Sequence, residues 1–183
     1  MRIQSILIAI CAGVFIAGTF INQAIAAGWT ITDLGSLGGT RTVADAINEN
    51  GQITGQSYTA GDAEAHAFIY ENGIMRDIHT LEGSTFSEAF GINDNGEIVG
   101  SIYFPDLDEK RTFVFDGSIM HDLGVLGSES ATIVKYLDIN NSGHIVGTNN
   151  DGHAFIYDGN TSIDLGTLGG DTSSAVAINN AGR

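Results

Sequence analysis

One repeat constrains this chain more than any other feature. A unit that opens with Asp-Leu-Gly and runs on to Ile-Asn-x-x-Gly recurs from Asp33 to Arg183, and its opening aspartates, Asp33, Asp77, Asp122 and Asp164, stand 44, 45 and 42 residues apart. The Ile-Asn-x-x-Gly segments lie at Ile47–Gly51, Ile92–Gly96, Ile139–Gly143 and Ile178–Gly182. The first three continue into an aromatic run, Phe68-Ile69-Tyr70, Phe113-Val114-Phe115 and Phe155-Ile156-Tyr157. Self-similarity at such a period belongs to arrays in which one supersecondary unit buries its apolar face against its neighbours. The units are 33–76, 77–121, 122–163 and an incomplete 164–183, within a repeat domain spanning 27–183.

Each unit alternates short apolar runs, rich in Ile, Val, Phe and Tyr, with turn signals, and no run carries apolar residues at helical spacing; the pattern is that of an all-β chain. In the second unit the four runs are 88–93, 97–103, 111–115 and 119–123. Asn-Glu-Asn-Gly, Asn-Asp-Asn-Gly, Asn-Asn-Ser-Gly and Asn-Asn-Ala-Gly link the first run to the second. Glu71-Asn72-Gly73, Asp116-Gly117 and Asp158-Gly159 link the third to the fourth. Asn and Gly tolerate positive φ, so these links read as hairpin turns and adjacent runs as antiparallel. A four-stranded antiparallel meander of about 40–50 residues is the blade of a β-propeller. The expected fold is therefore a partial β-propeller, open or truncated. The small residues Ala44, Ala46, Ala89, Gly91, Ala175 and Ala177 suit an inner strand near a crowded axis, and Ser174 to Asn179 reads as the last, edge strand. With three whole units and part of a fourth, the expectation is either a truncated form of a longer repeat protein or a partial propeller that self-associates.

Ahead of the repeats, Arg2, an apolar run from Ile6 to Ile21 and the small-x-small Ala24-Ile25-Ala26 form a signal peptide over 1–26. Its alternative is retention as an uncleaved anchor, the one route to a membrane. The expected address is secreted or periplasmic. Cys11, the only cysteine, sits inside the leader, so the mature chain holds no thiol, disulfide or cysteine-based metal site. Without Arg2 the mature chain sets six basic residues against 22 acidic ones, a net charge near −16. Such a polyanion does not bind nucleic acid or anionic membranes through bulk electrostatics.

The alternation of D-L-G-x-L-G-G, A-x-x-I-N-x-x-G-x-I-V-G and H-A-F-x-Y resembles the bacterial HAF-repeat proteins, described as extracellular repeat proteins and named for the His-Ala-Phe found here at His66 to Phe68 and His153 to Phe155. The resemblance covers Asp33 to Arg183. The second unit departs from it, with Arg111-Thr112-Phe113 at the name motif and Ile78-His79 in place of Leu-Gly. The resemblance implies export and a propeller-like repeat; it brings no reaction, cofactor or catalytic residue.

No phosphate loop, nucleophile elbow or zinc helix is visible, and no catalytic, cofactor or metal residue is assigned. His66 and His153 occupy equivalent places, which reads as structural hydrogen bonding, and the repeated Asp33, Asp77, Asp122 and Asp164 read as turn acceptors. His79, His121 and His144 have no second histidine at ligand spacing. The acidic run Asp106-Leu107-Asp108-Glu109 after Pro105 reads as a solvated loop without calcium-loop spacing. The candidate ligand-contacting residues are Tyr136 and Asp138. They replace Ala or Gly of the other units and would project a phenol and a carboxylate into a central channel. The expected function is an exported, non-catalytic repeat protein presenting a surface for protein or glycan at the cell surface. The alternative is a secreted polysaccharide-acting hydrolase or lyase, with Asp138 and a neighbouring carboxylate as acid and base.

Overall fold

The computed structural model describes residues 25–26, 29–126, 135–149 and 151–183. Residues 1–24, which hold Cys11 and most of the expected signal peptide, and the segment 127–134, which carries the longer link ahead of the third Ile-Asn, lie outside the described residues.

Among the described residues there is no helix. β1 (Ile25–Ala26) and β2 (Trp29–Thr30) make a short antiparallel pair, and the repeats supply three runs of four strands. The first run is β3 (Gly38–Ile47), β4 (Ile53–Thr59), β5 (Ala65–Glu71) and β6 (Ile74–Asp77). The second is β7 (Phe86–Ile92), β8 (Ile98–Phe104), β9 (Glu109–Phe115) and β10 (Met120–Gly124). The third is β11 (Lys135–Ile139), β12 (Ile145–Thr148), β13 (Ala154–Tyr157) and β14 (Ser162–Asp164). Within each run every strand pairs antiparallel with the next, as the short turns between them require. One parallel bridge, Ala65 opposite Phe86, joins the first two runs into an eight-stranded sheet, while the third run is a sheet of four. The first strands of the units lie side by side, β7 against both β3 and β11.

The core forms between units. Ala67 and Ile69 of the first pack with Ile78, Ala89, Ile92, Ile98, Ile102, Phe113 and Phe115 of the second. Val99 of the second packs with Leu137, Ile139, Ile145 and Phe155 of the third. The repeated Phe68, Phe113 and Phe155 are all fully buried, each stabilising by roughly 1.5–3 kcal/mol relative to exposure. The register shifts by a bulge between Ala44 and Ala46, and again between Ala89 and Gly91. A Cβ on Gly55 would come 2.0 Å from the Val43 carbonyl oxygen, and one on Gly100 would come 2.2 Å from that of Glu88. Gly55 and Gly100 are therefore consequences of the bulges facing them, whereas a Cβ on Gly147 would meet the Leu137 and Phe155 side chains.

Residues 174–179, expected as a strand, make no sheet pairing. The run that pairs with β3, β7 and β11 in the first three units has no counterpart within 164–183. The segment is tied to the third unit instead, by Ser173 N donating to the Gly152 carbonyl at 2.8 Å and Ile178 N to Asp138 Oδ2 at 2.8 Å.

Candidate functional site

The four Ile-Asn-x-x-Gly turns stack along one edge, and the asparagine does one job in all four and a second in the first three. Its Oδ1 accepts from its own turn: from the amides of Asn50 and Gln52 at Asn48, of Asn95 and Glu97 at Asn93, of Ser142 and His144 at Asn140, and of Ala181 and Arg183 at Asn179. Its Nδ2 then crosses to the next unit. Asn48 donates to the Asn93 carbonyl at 2.8 Å, Asn93 to Asn140 at 2.9 Å, and Asn140 to Asn179 at 3.2 Å. A second rail runs beside the first, with the amides of Glu49, Asp94 and Asn141 donating to the side chains of Asp94, Asn141 and Asn180. Asn and Gly both tolerate the positive φ such turns need. The structure gives that conformation to Gly51, Gly96, Gly143 and Gly182, and uses the asparagines for their side chains.

A second repeated constellation ties the third strand to the fourth. His66 Nδ1 meets Asp77 Oδ2 at 2.7 Å, and His153 Nδ1 meets Asp164 Oδ2 at 2.9 Å. In the unit that lacks the histidine, Arg111 Nη1 donates to Asp122 Oδ2 at 2.8 Å from the same place. The other oxygen of each aspartate accepts the amide two residues on, at His79, Gly124 and Gly166. The bond to Asp77 raises the His66 pKa against the opposing effect of burial. The His153 bond lowers that of Asp164. Both histidines and the aspartates thus serve the structural roles their repetition implied.

His79 breaks this regularity. It stands where Gly35, Gly124 and Gly166 stand in the other units, and its ring stacks on His66 with centroids 4.1 Å apart and planes 8° from parallel. Its Nδ1 lies 2.8 Å from Ser87 Oγ, which accepts the Ala67 amide of β5, and its Nε2 lies 3.0 Å from Ser84 Oγ, which donates to the Leu81 carbonyl. Burial, and next the charge of His66, lower its pKa. His66 to His79 is a contact that sequence spacing did not disclose; the signal available was a histidine at a glycine position.

Of the residues expected to contact a ligand, Asp138 accepts Ile178 N and approaches the position a Gly91 Cβ would take, its Oδ1 2.9 Å away. Tyr136 is 56% exposed with φ 57°. A different carboxylate pair stands on the first strands of two units, Asp45 on β3 and Glu88 on β7. Burial, then the charge of Asp45, raises the Glu88 pKa, and partial burial raises that of Asp45, while Gln56 Nε2 donates to Glu88 Oε1 at 2.6 Å. Between the first two stacked turns lies a cleft of ≈ 340 Å³ lined by Asn50, Gln52, Glu71, Asn72, Asp94 and Asn95, with no basic side chain among them. The ladder holds this lining in place, through Gln52 Nε2 to Glu71 Oε2 at 2.9 Å and Asn50 Nδ2 to the Asp94 carbonyl at 2.8 Å. Amides and carboxylates in a shallow cleft suit hydroxyl groups and repel anions. Among the described residues no three His, Cys, Asp or Glu side chains converge as metal ligands. Comparison with known proteins finds no family model that matches the chain and no curated protein sequence similar to it.

Proposed function

We propose that this chain is an exported, non-catalytic repeat protein of the HAF-repeat type, built as an open β-propeller, that binds uncharged glycan hydroxyls along its stacked-turn edge. The observation that carries the reading is the cleft between the first two turns. Its lining offers hydrogen-bonding amides and carboxylates and no hydroxyl or thiol nucleophile, while the recurring histidines and aspartates are committed to tying strands and the ladder asparagines to tying units. Consecutive four-stranded antiparallel runs with adjacent first strands support the propeller form. The leader motif supports export. Calorimetric titration of residues 27–183 with a panel of neutral oligosaccharides tests the binding. Saturable heat that is lost in Glu71→Gln and in Asn72→Gly is expected, the glycine keeping the φ of 53° at that turn. Absence of binding across the panel, or binding indifferent to both variants, refutes it. Recovery of the intact chain in the cytoplasm with residues 1–26 attached refutes the address.

The Asp45 and Glu88 pair favours the second reading, a polysaccharide hydrolase, since a general acid needs a carboxyl with a raised pKa. Glycan hydrolysis that disappears in Glu88→Gln would establish it over the first.

A further inference from the structure

We propose that the joint between the first and second units is a pH-sensitive latch: His79 holds the Ser87 hydroxyl of β7 only while its imidazole is neutral, so that acid loosens β7 from β5.

The equivalent joints show what His79 replaces. Six residues ahead of the ladder asparagine stands a hydroxyl, Thr42, Ser87 or Ser173 in three of the units. Thr42 Oγ1 donates to the Gly35 carbonyl at 3.0 Å and Ser173 Oγ to the Gly166 carbonyl at 2.5 Å. Ser173 Oγ at the same time accepts the Ala154 amide of β13, as Ser87 Oγ accepts the Ala67 amide of β5. A backbone carbonyl accepts at every pH. At the second unit the glycine is His79, and the acceptor for the hydroxyl is its Nδ1 at 2.8 Å.

The protons in this chain of bonds can be assigned from its two ends. Ser87 Oγ accepts the Ala67 N–H, and the one acceptor within reach of its own proton among the described residues is His79 Nδ1, so the buried hydroxyl is satisfied only when that nitrogen carries no proton. Ser84 Oγ spends its proton on the Leu81 carbonyl at 2.6 Å, so it accepts from His79 Nε2–H. The ring is thereby the neutral Nε2–H tautomer. A second proton on Nδ1 would set two donors against each other. The Ser87 hydroxyl is fully buried and makes no other hydrogen bond among the described residues, so turning it away leaves it unsatisfied.

The neighbours reinforce this sense. The titratable and charged groups that face His79 are His66 and Glu64 from the β5 side and Asp77 from β6, while β7 and its approach present the hydroxyls of Ser87 and Ser84. His66 is held by Asp77 at 2.7 Å and by Glu64 at 3.3 Å, so it takes up a proton first and lays an imidazolium on the His79 ring. The ion pairs of His66 lie with Glu64 beside β5 and Asp77 of β6 and survive opening of the joint; the bond that crosses it is that of the Ala67 amide to Ser87 Oγ, whose hydroxyl His79 orients. For His79 the closed joint prefers the unprotonated ring. Its contribution is therefore complete above the ring's ordinary pKa of 6.5 and is lost as pH falls below that value. Between the ordinary and the lowered pKa the opening constant rises about tenfold per pH unit.

Amide hydrogen exchange at Ala67, corrected for intrinsic rate and followed from pH 7.5 to pH 4.5, reads the latch directly, with His79 side-chain nitrogen shifts recorded in parallel. Protection of Ala67 is expected to fall in the same pH range in which His79 titrates. In His79→Asn, whose Oδ1 can accept from Ser87 without titrating, it should stay flat. Equal pH dependence in the wild type and His79→Asn overturns the proposal. Should the variant fail to fold, the wild-type spectrum alone decides: a proton on Nδ1 of His79 at pH 7.5, or protection indifferent to its titration, overturns the latch.

Discussion

Asn93 is the place where the ladder can be weighed. It is 3% exposed, its Oδ1 accepts the amides of Asn95 and Glu97 at 3.0 and 2.9 Å, and its Nδ2 reaches the Asn140 carbonyl at 2.9 Å and Glu97 Oε2 at 2.5 Å. Replacing it by alanine removes all four bonds. Water can reach the freed amide of exposed Asn95, and the Asn140 carbonyl keeps its bond from Gly143 N, so each loss costs about the net value of a hydrogen bond, near 1 kcal/mol. The sum over the four bonds is about 4 kcal/mol, large against a marginal total stability. Asn93→Asp separates the two jobs. It keeps the acceptor for the turn but sets a carboxylate against the Asn140 carbonyl and Glu97, so it should be at least as destabilising near pH 7 and should recover in acid as that carboxyl protonates. Urea unfolding followed by circular dichroism measures both variants, with an unchanged m-value as the check that only stability has moved. A cost below about 1 kcal/mol for Asn93→Ala, within the range of a single hydrogen bond, or an aspartate tolerated as well as asparagine at pH 7, would refute the claim that the ladder couples the units.

Gly100→Ala drives a Cβ to 2.2 Å from the Glu88 carbonyl oxygen and 2.5 Å from the Phe113 ring; chemical denaturation should show about 3 kcal/mol lost, against about 1 kcal/mol for Gly96→Ala, where only φ is at stake. Arg111→Ala breaks half-exposed pairs with Glu109 and Asp122 and should cost at most about 1 kcal/mol in the same assay, with Arg111→His recovering the Asp122 contact that His66 and His153 make with their own aspartates. Asp116 is held at a pKa of about 2, first by the His121 bond and then by the amides of Ile119 and Ser118. Its contribution is therefore present above the ordinary carboxyl value and lost as pH falls through about 2. Carboxyl-carbon NMR titration should find that midpoint, and His121→Ala should move it upward.

What was legible in the sequence was whatever a few adjacent residues decide. Short Asn-Gly and Asp-Gly links leave the chain no option but to double back, so strand order and antiparallel sense followed, and β7 to β10 lie within a few residues of the runs read from Glu88 to Leu123. Repetition itself marked His66, His153 and the opening aspartates as structural, because a catalyst is not needed once per unit. The tertiary structure decided everything that joins one unit to another. The donor on Asn48 finds its acceptor 45 residues away at Asn93, Gly100 is required by a bulge on a different strand, and His66 meets His79 only because the first unit closes against Ser87 of the second. Tyr136 and Asp138 stood out as irregular, yet what Asp138 touches, the amide of Ile178, is set by how the third unit meets the fourth. Propensity and turn chemistry act over a few residues and can be read along the chain. A hydrogen bond between units, or a carbonyl pressed onto a glycine, depends on the distance between strands after packing, and that distance exists only in the folded array.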